Sequence, residues 1–206
     1  MMTPTPRRYR GISAEERRAA RRRQLLDAAL EIAGTRGVER TTMTAICSEA
    51  GLTERYFYES FDARDQLLLA LVDEIAEQVR TAVLTALSDT EGDTAAKAHA
   101  ALAAFAAVLT DDPRKGRVAI IESASVPALR TRRHELFRDF AALVVSQAHV
   151  MFGSQALPAP RDEISARLLV GGLGELITAW LQAETGADVE EIVDEATRWF
   201  TAGMHT

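Results

Sequence analysis

Five side chains in the first third of the chain combine hydroxyl and guanidinium donors at a spacing that suits a nucleic acid. Thr41 and Thr42 precede one predicted helix, and Thr53, Arg55 and Tyr56 lie at the start of the next. Hydroxyls and the free N–H groups at a helix start can bind a phosphate. Side chains in the first turn of a helix that enters a major groove can reach base edges. The pattern therefore predicts contacts with DNA.

Two predicted helices position these donors. Apolar residues at positions 43, 46, 47 and 50 fall at i, i+3, i+4 and i+7, which is one face of a helix. Gly51 suits a left-handed helix end. Thr53 is a good N-cap for a second helix over residues 54–61, which turns Phe57 and Phe61 toward the core and leaves Ser60 on another face. Two ordinary helices joined by a tight turn would show the same spacing.

The segment 51–71, GLTERYFYESFDARDQLLLAL, resembles the recognition helix and following segment of the tetracycline-repressor (TetR) family. Arg64 stands where the family usually has Lys, which keeps a positive charge. Ser60 replaces a usual His or Tyr, and Asp62 and Ala63 replace Pro-Ser. The resemblance covers about the first third of the chain. The matching residues are Gly51, Leu52, Thr53, Phe57, Tyr58, Phe61 and Leu67.

The resemblance implies an all-α transcription regulator that binds DNA as a homodimer and responds to a small-molecule effector. Repression is the family's usual mode, so we expect a repressor of a palindromic operator. By family position, Arg55 and Tyr56 face bases. The residues expected at the phosphates are Thr42, Thr53, Tyr58 and Arg64, with Thr41 and Ser60 beside them.

The charge distribution fits a DNA-binding end on an acidic body. The chain has 206 residues and a net charge of −6, which excludes a wholly basic DNA coat protein. Residues 1–60 hold eleven Arg against eight acidic residues, and residues 1–25 hold eight Arg against two Glu. We predict a flexible basic arm over residues 1–12. Such an arm can enter a minor groove, but a solvated tail explains these arginines equally well.

Length and hydrophobic content allow one large or two small domains with a sizeable core. Cys47 is the one cysteine, which excludes an intramolecular disulfide and a multi-Cys zinc site. The longest apolar run, over residues 100–109, has ten residues, whereas a membrane span needs about twenty. The N-terminus lacks the apolar segment of a secretory signal. We expect a cytoplasmic protein without membrane contact, cofactor or metal.

Helical periodicity continues through the whole chain, and no stretch alternates with the period of a strand. Ser13 and Glu16 form a capping-box pattern for a first helix that ends at Gly37. The fold class is therefore all-α with about nine helices. Residues 13–63 are predicted to form a three-helix DNA-binding domain with a helix-turn-helix, and residues 64–206 an effector-binding and dimerisation domain. Later helices are predicted at about 64–87, 94–109, 113–123, 127–152, 161–185 and 189–201.

The last two helices carry apolar stripes that favour an interface between two copies of the chain. Gly171, Gly172 and Gly174 lie inside the helix over 161–185, where each costs about 1 kcal/mol relative to Ala. Close approach of another helix is a reason to tolerate that cost, and the resemblance implies a four-helix bundle. The stripes would also suit an internal core. The residues predicted at the interface are Leu169, Leu173, Ile177, Leu181, Ile192, Val193, Ala196, Trp199 and Phe200.

The middle helices are expected, again by resemblance, to hold an effector pocket. Aromatic and aliphatic side chains at helical spacing could line it, although such residues usually form core. Glu175 lies in an apolar helix, where its carboxylate must be hydrated or paired. The candidate lining residues are Leu102, Phe105, Ile121, Phe137, Phe140 and Trp180, with His134, His149 and Glu175 as polar anchors.

Two other classes of function are alternatives to a regulator. An all-α carboxylate metal enzyme needs Glu-x-x-His pairs. The position three residues before each histidine is occupied by Ala96, Thr131, Ser146 or Ala202, so none qualifies. The sequence contains no HExxH, P-loop or GxSxG motif either, and we expect no enzyme. A helical adaptor that binds protein and never DNA is the remaining alternative.

Overall fold

The computed structural model describes residues 13–205, so the predicted arm over 1–12 lies outside the described residues. Helices joined by short turns make up this range, which contains no strand and confirms the all-α expectation. The helices are α1 (Ala14–Arg36), α2 (Met43–Ala50), α3 (Glu54–Tyr58), α4 (Arg64–Asp89), α5 (Thr94–Thr110), α6 (Pro113–Gly116), α7 (Pro127–Phe152), α8 (Arg161–Leu181) and α9 (Val189–Gly203).

Helices α1 to α3 form a small bundle whose ends are defined by local signals. The capping box at α1 is present: the Glu16 amide donates to Ser13 Oγ at 3.0 Å, and the Glu16 carboxylate accepts from the Ser13 amide. Thr42 caps α2 by accepting from the Ala45 amide at 3.2 Å. The apolar face of α1 is fully buried against α2 and α4, including Leu25 and Ile32. Caps and apolar spacing are local properties, which explains why the sequence predicts these helices well.

Helix α4 connects this bundle to the rest of the molecule. Its first turns bury Leu67 and Leu68 in the core shared with α1, and its later turns bury Ile75 and Val79 among α5 and α7. Helices α4 and α5 form the most extensive helix–helix contact in the described range. A single helix of 26 residues therefore runs from the helix-turn-helix through the body.

Residues 113–124 differ from the single helix predicted over 113–123. A four-residue α6 is followed by a π-helical turn, Arg117–Ile121, and a 3₁₀ turn, Glu122–Ala124. The caps were foreseeable, since Pro113 occupies the first turn and Asp112 accepts from the Arg114 amide. The change of helix type is not visible in the apolar spacing. We call residues 113–124 the mixed helical segment.

Helices α7, α8 and α9 complete the body. The Asp188–Glu191 capping box starts α9 as predicted. Helix α8 ends at Leu181 instead of residue 185, and Ala183 with a φ of 56° reverses the chain. By length and composition α8 could also cross a membrane, and it is the one described helix that passes this test. One such helix is weak evidence for a membrane span, because core helices and signal sequences pass the same test.

Candidate DNA-binding surface, ligand cavities and subunit groove

The turn between α2 and α3 holds the recognition helix at a defined angle. Gly51 has a left-handed backbone with φ of 64° and ψ of 29°, and its amide donates to the Cys47 and Ser48 carbonyls. A Cβ at Gly51 would meet no atom within 4 Å, so backbone conformation alone selects glycine there. Leu52 packs partly buried against the core and its amide donates to Cys47 at 2.9 Å. The predicted helix-turn-helix is present.

Helix α3 has a buried face and a solvent-facing one. Phe57 is fully buried and contacts Phe61 with ring centroids 5.9 Å apart. On the opposite side, the Arg55 side chain is 86% exposed and Tyr58 is 56% exposed. Thr53 occupies the N-cap position without a capping bond from its side chain, and it is exposed. The aromatic residues anchor the helix while its first turn presents a hydroxyl and a guanidinium to solvent.

A charged network ties α1 to the recognition helix. Arg21 on α1 pairs with Glu59 at 3.0 Å and lies over the Tyr56 ring at 4.5 Å from the centroid. Glu59 also lies 3.6 Å from Arg55. The sequence reasoning missed Arg21 and Glu59 as part of this surface. The i, i+4 spacing of Arg55 and Glu59 was a usable signal, whereas Arg21 lies 38 residues away.

Two predicted DNA-contacting residues point into the protein. Thr41 is fully buried and its hydroxyl donates to the Gly37 carbonyl at 3.0 Å, so it stabilises the turn after α1. Ser60 Oγ is buried without a hydrogen-bond partner. The direction of these two hydroxyls does not favour a contact with DNA, which stays a prediction. Spacing along the chain does not show the direction of a short hydroxyl side chain. The recognition helix is also shorter than predicted, ending at Tyr58 before a turn that runs to Phe61.

Thr42 and Arg64 border the exposed face of the helix-turn-helix. Thr42 is exposed, although its hydroxyl already accepts from the Ala45 amide. Arg64 begins α4 and is one-third exposed, with its Nε 3.3 Å from Asp65. Arg17, Arg18 and further arginines follow along α1. The DNA-facing roles of these residues stay predictions.

The mixed helical segment is bonded directly to the small bundle. Glu122 accepts a hydrogen bond from the Val38 amide at 2.8 Å, across 84 residues of sequence. Arg114 pairs with Glu31 on α1 at 2.6 Å and with Asp112 at 2.8 Å. Hydrogen bonds from Arg114 lower the pKa of Asp112 and bonds to Asp112 and Glu31 raise the pKa of Arg114. We call the Glu122–Val38 and Arg114–Glu31 contacts the interdomain latch.

Gly34 makes the latch possible. A Cβ at Gly34 would overlap the Cβ of Arg114, so α6 approaches α1 closely only because position 34 has no side chain. The same segment lies against the interior of the body, where Ala119 and Ile120 line a cavity. A displacement inside the body therefore has a short physical path to α1.

The body contains two adjacent apolar cavities. The first has a volume of about 90 Å³ and lies among α4, α5, α7, α8 and α9, with Leu102, Phe105 and Phe140 in its wall. The second has a volume of about 50 Å³ and lies closer to the mixed helical segment, with Phe105, Phe137 and Phe140 in its wall. Four of the predicted pocket residues are thus brought together. Phe105 and Phe140 belong to both walls and pack edge to face at 6.4 Å.

The other predicted pocket residues lie elsewhere. His134 and Glu175 are exposed to solvent, and Trp180 packs in a cluster with Leu173 and Ile192 instead of lining either cavity. Ile121 does not line the second cavity, whereas its neighbours Ala119 and Ile120 do. These residues lie in the π-helical turn, where the side-chain directions differ from those of an α-helix.

His149 also lies outside both cavities and braces two helices. Its Nε2 lies 3.1 Å from Asp162 Oδ2, which joins the end of α7 to the start of α8. This hydrogen bond lowers the pKa of Asp162, with a smaller contribution from the Glu163 amide. The sequence reasoning missed Asp162, which is buried although carboxylates rarely are.

A groove between α8 and α9 is open to solvent. It has a volume of about 350 Å³, and Gly172 and Gly203 leave open space along it. Leu168 and Trp199 on its walls are 67% and 66% exposed. Of the predicted interface residues, those in the lining are Leu169, Leu173, Ala196, Trp199 and Phe200.

The remaining predicted interface residues face the inside of the subunit. Ile177, Ile192 and Val193 are buried, and Leu181 packs on the main core. Their burial within one subunit does not favour a role between subunits, which stays a prediction. Helix α8 has two apolar faces, and the sequence does not show which face the rest of the chain covers. Gly174 follows the inner face, since a Cβ there would lie 3.0 Å from Phe137 Cζ. Leu168 and Leu176 are the outer residues that the prediction omitted.

Comparisons with known proteins agree with this architecture. The model of the bacterial regulatory proteins of the tetR family matches residues 25–71. No curated protein matches the chain in sequence. Among residues 13–205, no group of three or more His, Cys, Asp or Glu side chains could hold a metal ion.

Solved structures share the fold over nearly the whole chain. The fatty acid degradation regulator FadR from Bacillus halodurans has a TM-score of 0.74 and 18% identity, covering 90% of this chain and 97% of its own. FadR from Bacillus subtilis in complex with stearoyl-CoA has a TM-score of 0.74 and 18% identity, covering 89% and 99%. A TetR family regulator from Marinobacter aquaeolei has a TM-score of 0.66 and 20% identity, covering 93% and 100%. Residues 25–71 therefore match the model of the tetR family, and the chain has the fold of these TetR-family regulators.

Proposed function

We propose that this protein is a cytoplasmic transcription regulator that represses by binding a two-fold-symmetric operator as a homodimer. The observation that carries the proposal is the presentation of α3, whose buried Phe57 anchors a first turn with Arg55 held in solvent. A short, rigidly seated helix with an exposed guanidinium is suited to a major groove. The acidic body repels the DNA phosphates, whereas the arginine-rich first part of the chain attracts them, so the DNA should bind on the side of α3.

The groove between α8 and α9 supports a homodimer. Leu168, Leu176 and Trp199 are large apolar side chains that a monomer would leave in water. Gly171 and Gly172 lie on the same open side of α8, where a second helix could approach closely. A two-fold axis through this groove would present two copies of α3 to half-sites one helical turn of DNA or a multiple apart.

A small apolar or amphipathic ligand in the body would release the DNA. Helix α4 carries residues of the bundle core at one end and lines both cavities farther along, through Val72, Val79 and Val83. The interdomain latch is a second connection from the cavity wall to α1. FadR from Bacillus subtilis, similar in fold, is seen with stearoyl-CoA, which supports an amphipathic effector. Complete release needs about 5.5 kcal/mol of preference for the released conformation.

The test is binding of the purified full chain to DNA that flanks its own gene, followed by fluorescence anisotropy at several salt concentrations. We expect a sequence-selective complex whose affinity falls with salt. Arg55→Ala should weaken the specific complex by about 1–3 kcal/mol and reduce discrimination between sequences, because a base contact is lost. Arg138→Ala removes an exposed arginine on α7, outside both the helix-turn-helix and the groove between α8 and α9, and should leave the affinity unchanged.

Equal behaviour of the two variants would contradict the role of α3. A protein that binds none of the flanking fragments would contradict DNA binding, and a helical adaptor for another protein would then be the better description. Addition of a ligand that binds without changing the anisotropy would contradict release while leaving DNA recognition intact.

A further inference from the structure

Arg133 has an unusual environment on α7. It lines the second cavity, its Nε is buried without a hydrogen-bond partner, and its guanidinium carbon lies 4.5 Å above the Phe137 ring. No carboxylate in the described range pairs with it, whereas Arg114 and Arg132 both have carboxylate partners. A guanidinium stays protonated in proteins, and a buried N–H without an acceptor is costly. Arg133 thus brings to the cavity wall a guanidinium whose Nε has no acceptor among the described residues.

The two cavities can act as one elongated space. Phe105, Phe140 and Val170 belong to both walls, so the two cavities are neighbours that share these side chains. The first cavity is almost wholly aliphatic and aromatic, and Gln147 is its one polar lining residue. Arg133 lines the second cavity and not the first. The combined space is therefore narrow, apolar at one end and cationic at the other.

We propose that this space binds an acyl chain whose carboxylate or thioester carbonyl oxygen accepts the hydrogen bond of Arg133 Nε. The chain would pass between Phe105 and Phe140 into the first cavity. A ligand cation would be repelled by Arg133, and a sugar or nucleotide placed inside the cavities would leave its polar groups unsatisfied against the apolar walls. The coenzyme A part of a thioester would therefore have to stay outside them. The division of the space by the rings of Phe105 and Phe140 favours a slender flexible chain over a fused ring system. The inference deepens the proposed function, on which it rests, because the ligand named is the effector.

The first experiment compares head groups of equal chain length on the full-length protein. Calorimetric titrations use dodecanoate, dodecanol and dodecanoyl-CoA below their micelle concentrations. Dodecanoate, dodecanoyl-CoA or both should bind about tenfold or more tightly than dodecanol, the effect of a charge-assisted hydrogen bond. Whichever of dodecanoate and dodecanoyl-CoA binds more tightly identifies the ligand as a free fatty acid or as a coenzyme A thioester. Equal binding of all three compounds, or no binding, would overturn the proposal.

Variants of Arg133 then locate the head group. Arg133→Met keeps an apolar stem and should remove the advantage over dodecanol, while Arg133→Lys should restore part of it for the carboxylate. Arg138→Met is the matched control, because Arg138 is exposed on the same helix and lines neither cavity. An unchanged advantage in Arg133→Met, or an equal loss in both methionine variants, would overturn the assignment.

A third variant tests the path of the chain. Ala101 lines the first cavity, so Ala101→Phe should fill it. Binding of hexadecanoate should weaken about tenfold or more, while hexanoate, which would stay near Arg133, should bind as before. Retained hexanoate binding also shows that the variant is folded. Equal effects on both lengths, or none, would contradict passage between the two rings.

These titrations contain no DNA, so they separate the two proposals. An acyl ligand that binds through Arg133 and leaves the operator complex intact would support the site and contradict ligand release. A sequence-selective DNA complex from a protein that binds none of the acyl compounds would support regulation and overturn the site.

Discussion

Glu59 shows how single residues control the presentation of the recognition helix. Its carboxylate lies 3.0 Å from Arg21 and 3.6 Å from Arg55, so it connects a residue of α1 with the exposed residue of α3. Arg21 also covers one face of Tyr56. Of the two predicted base-facing residues, Tyr56 is therefore held between helices and Arg55 extends into solvent. The helical spacing in the sequence indicates the Arg55–Glu59 pair, but nothing in it indicates the Arg21–Glu59 pair.

Gly51 is the residue on which the angle between α2 and α3 depends. Its φ of 64° is unfavourable for a residue with a Cβ, although there is space for one. Gly51→Ala should therefore lower the free energy of unfolding by about 1–2 kcal/mol. Urea denaturation measures this value. Gly51→Asn is the control, since asparagine tolerates the left-handed region, and it should cost less. Equal losses for Ala and Asn would argue against backbone strain as the cause.

The direction of a threonine or serine hydroxyl cannot be predicted from the sequence alone. Thr41 and Thr42 are adjacent and chemically identical, yet one is fully buried and the other caps α2 at the surface. The difference arises because the turn after α1 directs Thr41 back to the Gly37 carbonyl. Only the path of the backbone decides this direction.

At the scale of elements, the mixed helical segment carries the connection between body and bundle. It lines the second cavity with Ala119 and Ile120 and bonds to the bundle through Arg114 and Glu122. The sequence of this segment does not show which groups its charged residues bind, since Glu122 accepts from a backbone amide 84 residues away. The latch depends on the close approach of α6 to α1 at Gly34.

Glu122→Ala should weaken the latch. The Val38 amide would lose its charged acceptor, the Glu122 carboxylate, at 2.8 Å. Because the Glu122 side chain is only 14% exposed, we expect the free energy of unfolding to fall by about 1.5–3 kcal/mol. Hydrogen exchange of the Val38 amide should also become faster. Both are measurable, by denaturation and by NMR. Glu122→Gln keeps a carbonyl acceptor and should retain part of the effect. Faster exchange throughout α1 in both variants would instead indicate general destabilisation.

The Asp162–His149 brace predicts a pH dependence. The hydrogen bond from His149 lowers the pKa of Asp162, so the ionised carboxylate stabilises the fold above its unfolded pKa of about 3.9. That contribution is lost as the pH falls through the lower pKa of the folded state. Asp162→Asn should therefore be less stable than the wild type at pH 6, and the difference should shrink below about pH 4. Denaturation at several pH values tests this. A constant difference down to pH 3 would exclude ionisation of Asp162 as the cause.

At the scale of the whole molecule, the outer face of α8 and α9 decides the assembly. Leu168→Glu places a charge on the exposed wall of the groove and should convert a dimer to monomers, with loss of operator affinity. Sedimentation velocity measures the change in mass. Leu84→Glu alters an exposed leucine on α4 outside the groove and should leave the dimer intact. A wild-type protein that sediments as a monomer would contradict the assembly, and unchanged mass in Leu168→Glu would exclude this face.

The sequence by itself determined most of the helices, the caps of α1 and α2, the turn at Gly51 and the start of the recognition helix. These depend on spacing and backbone preferences within a few residues, so the chain carries them locally. Only the tertiary structure decided which face of α8 is covered, where Thr41 and Ser60 point, and which aromatic residues enclose the cavities. Burial depends on neighbours distant in the chain, as Arg21 with Glu59 and Val38 with Glu122 show. Apolar spacing identifies a face that can be buried, but the partner that covers it is supplied by the fold.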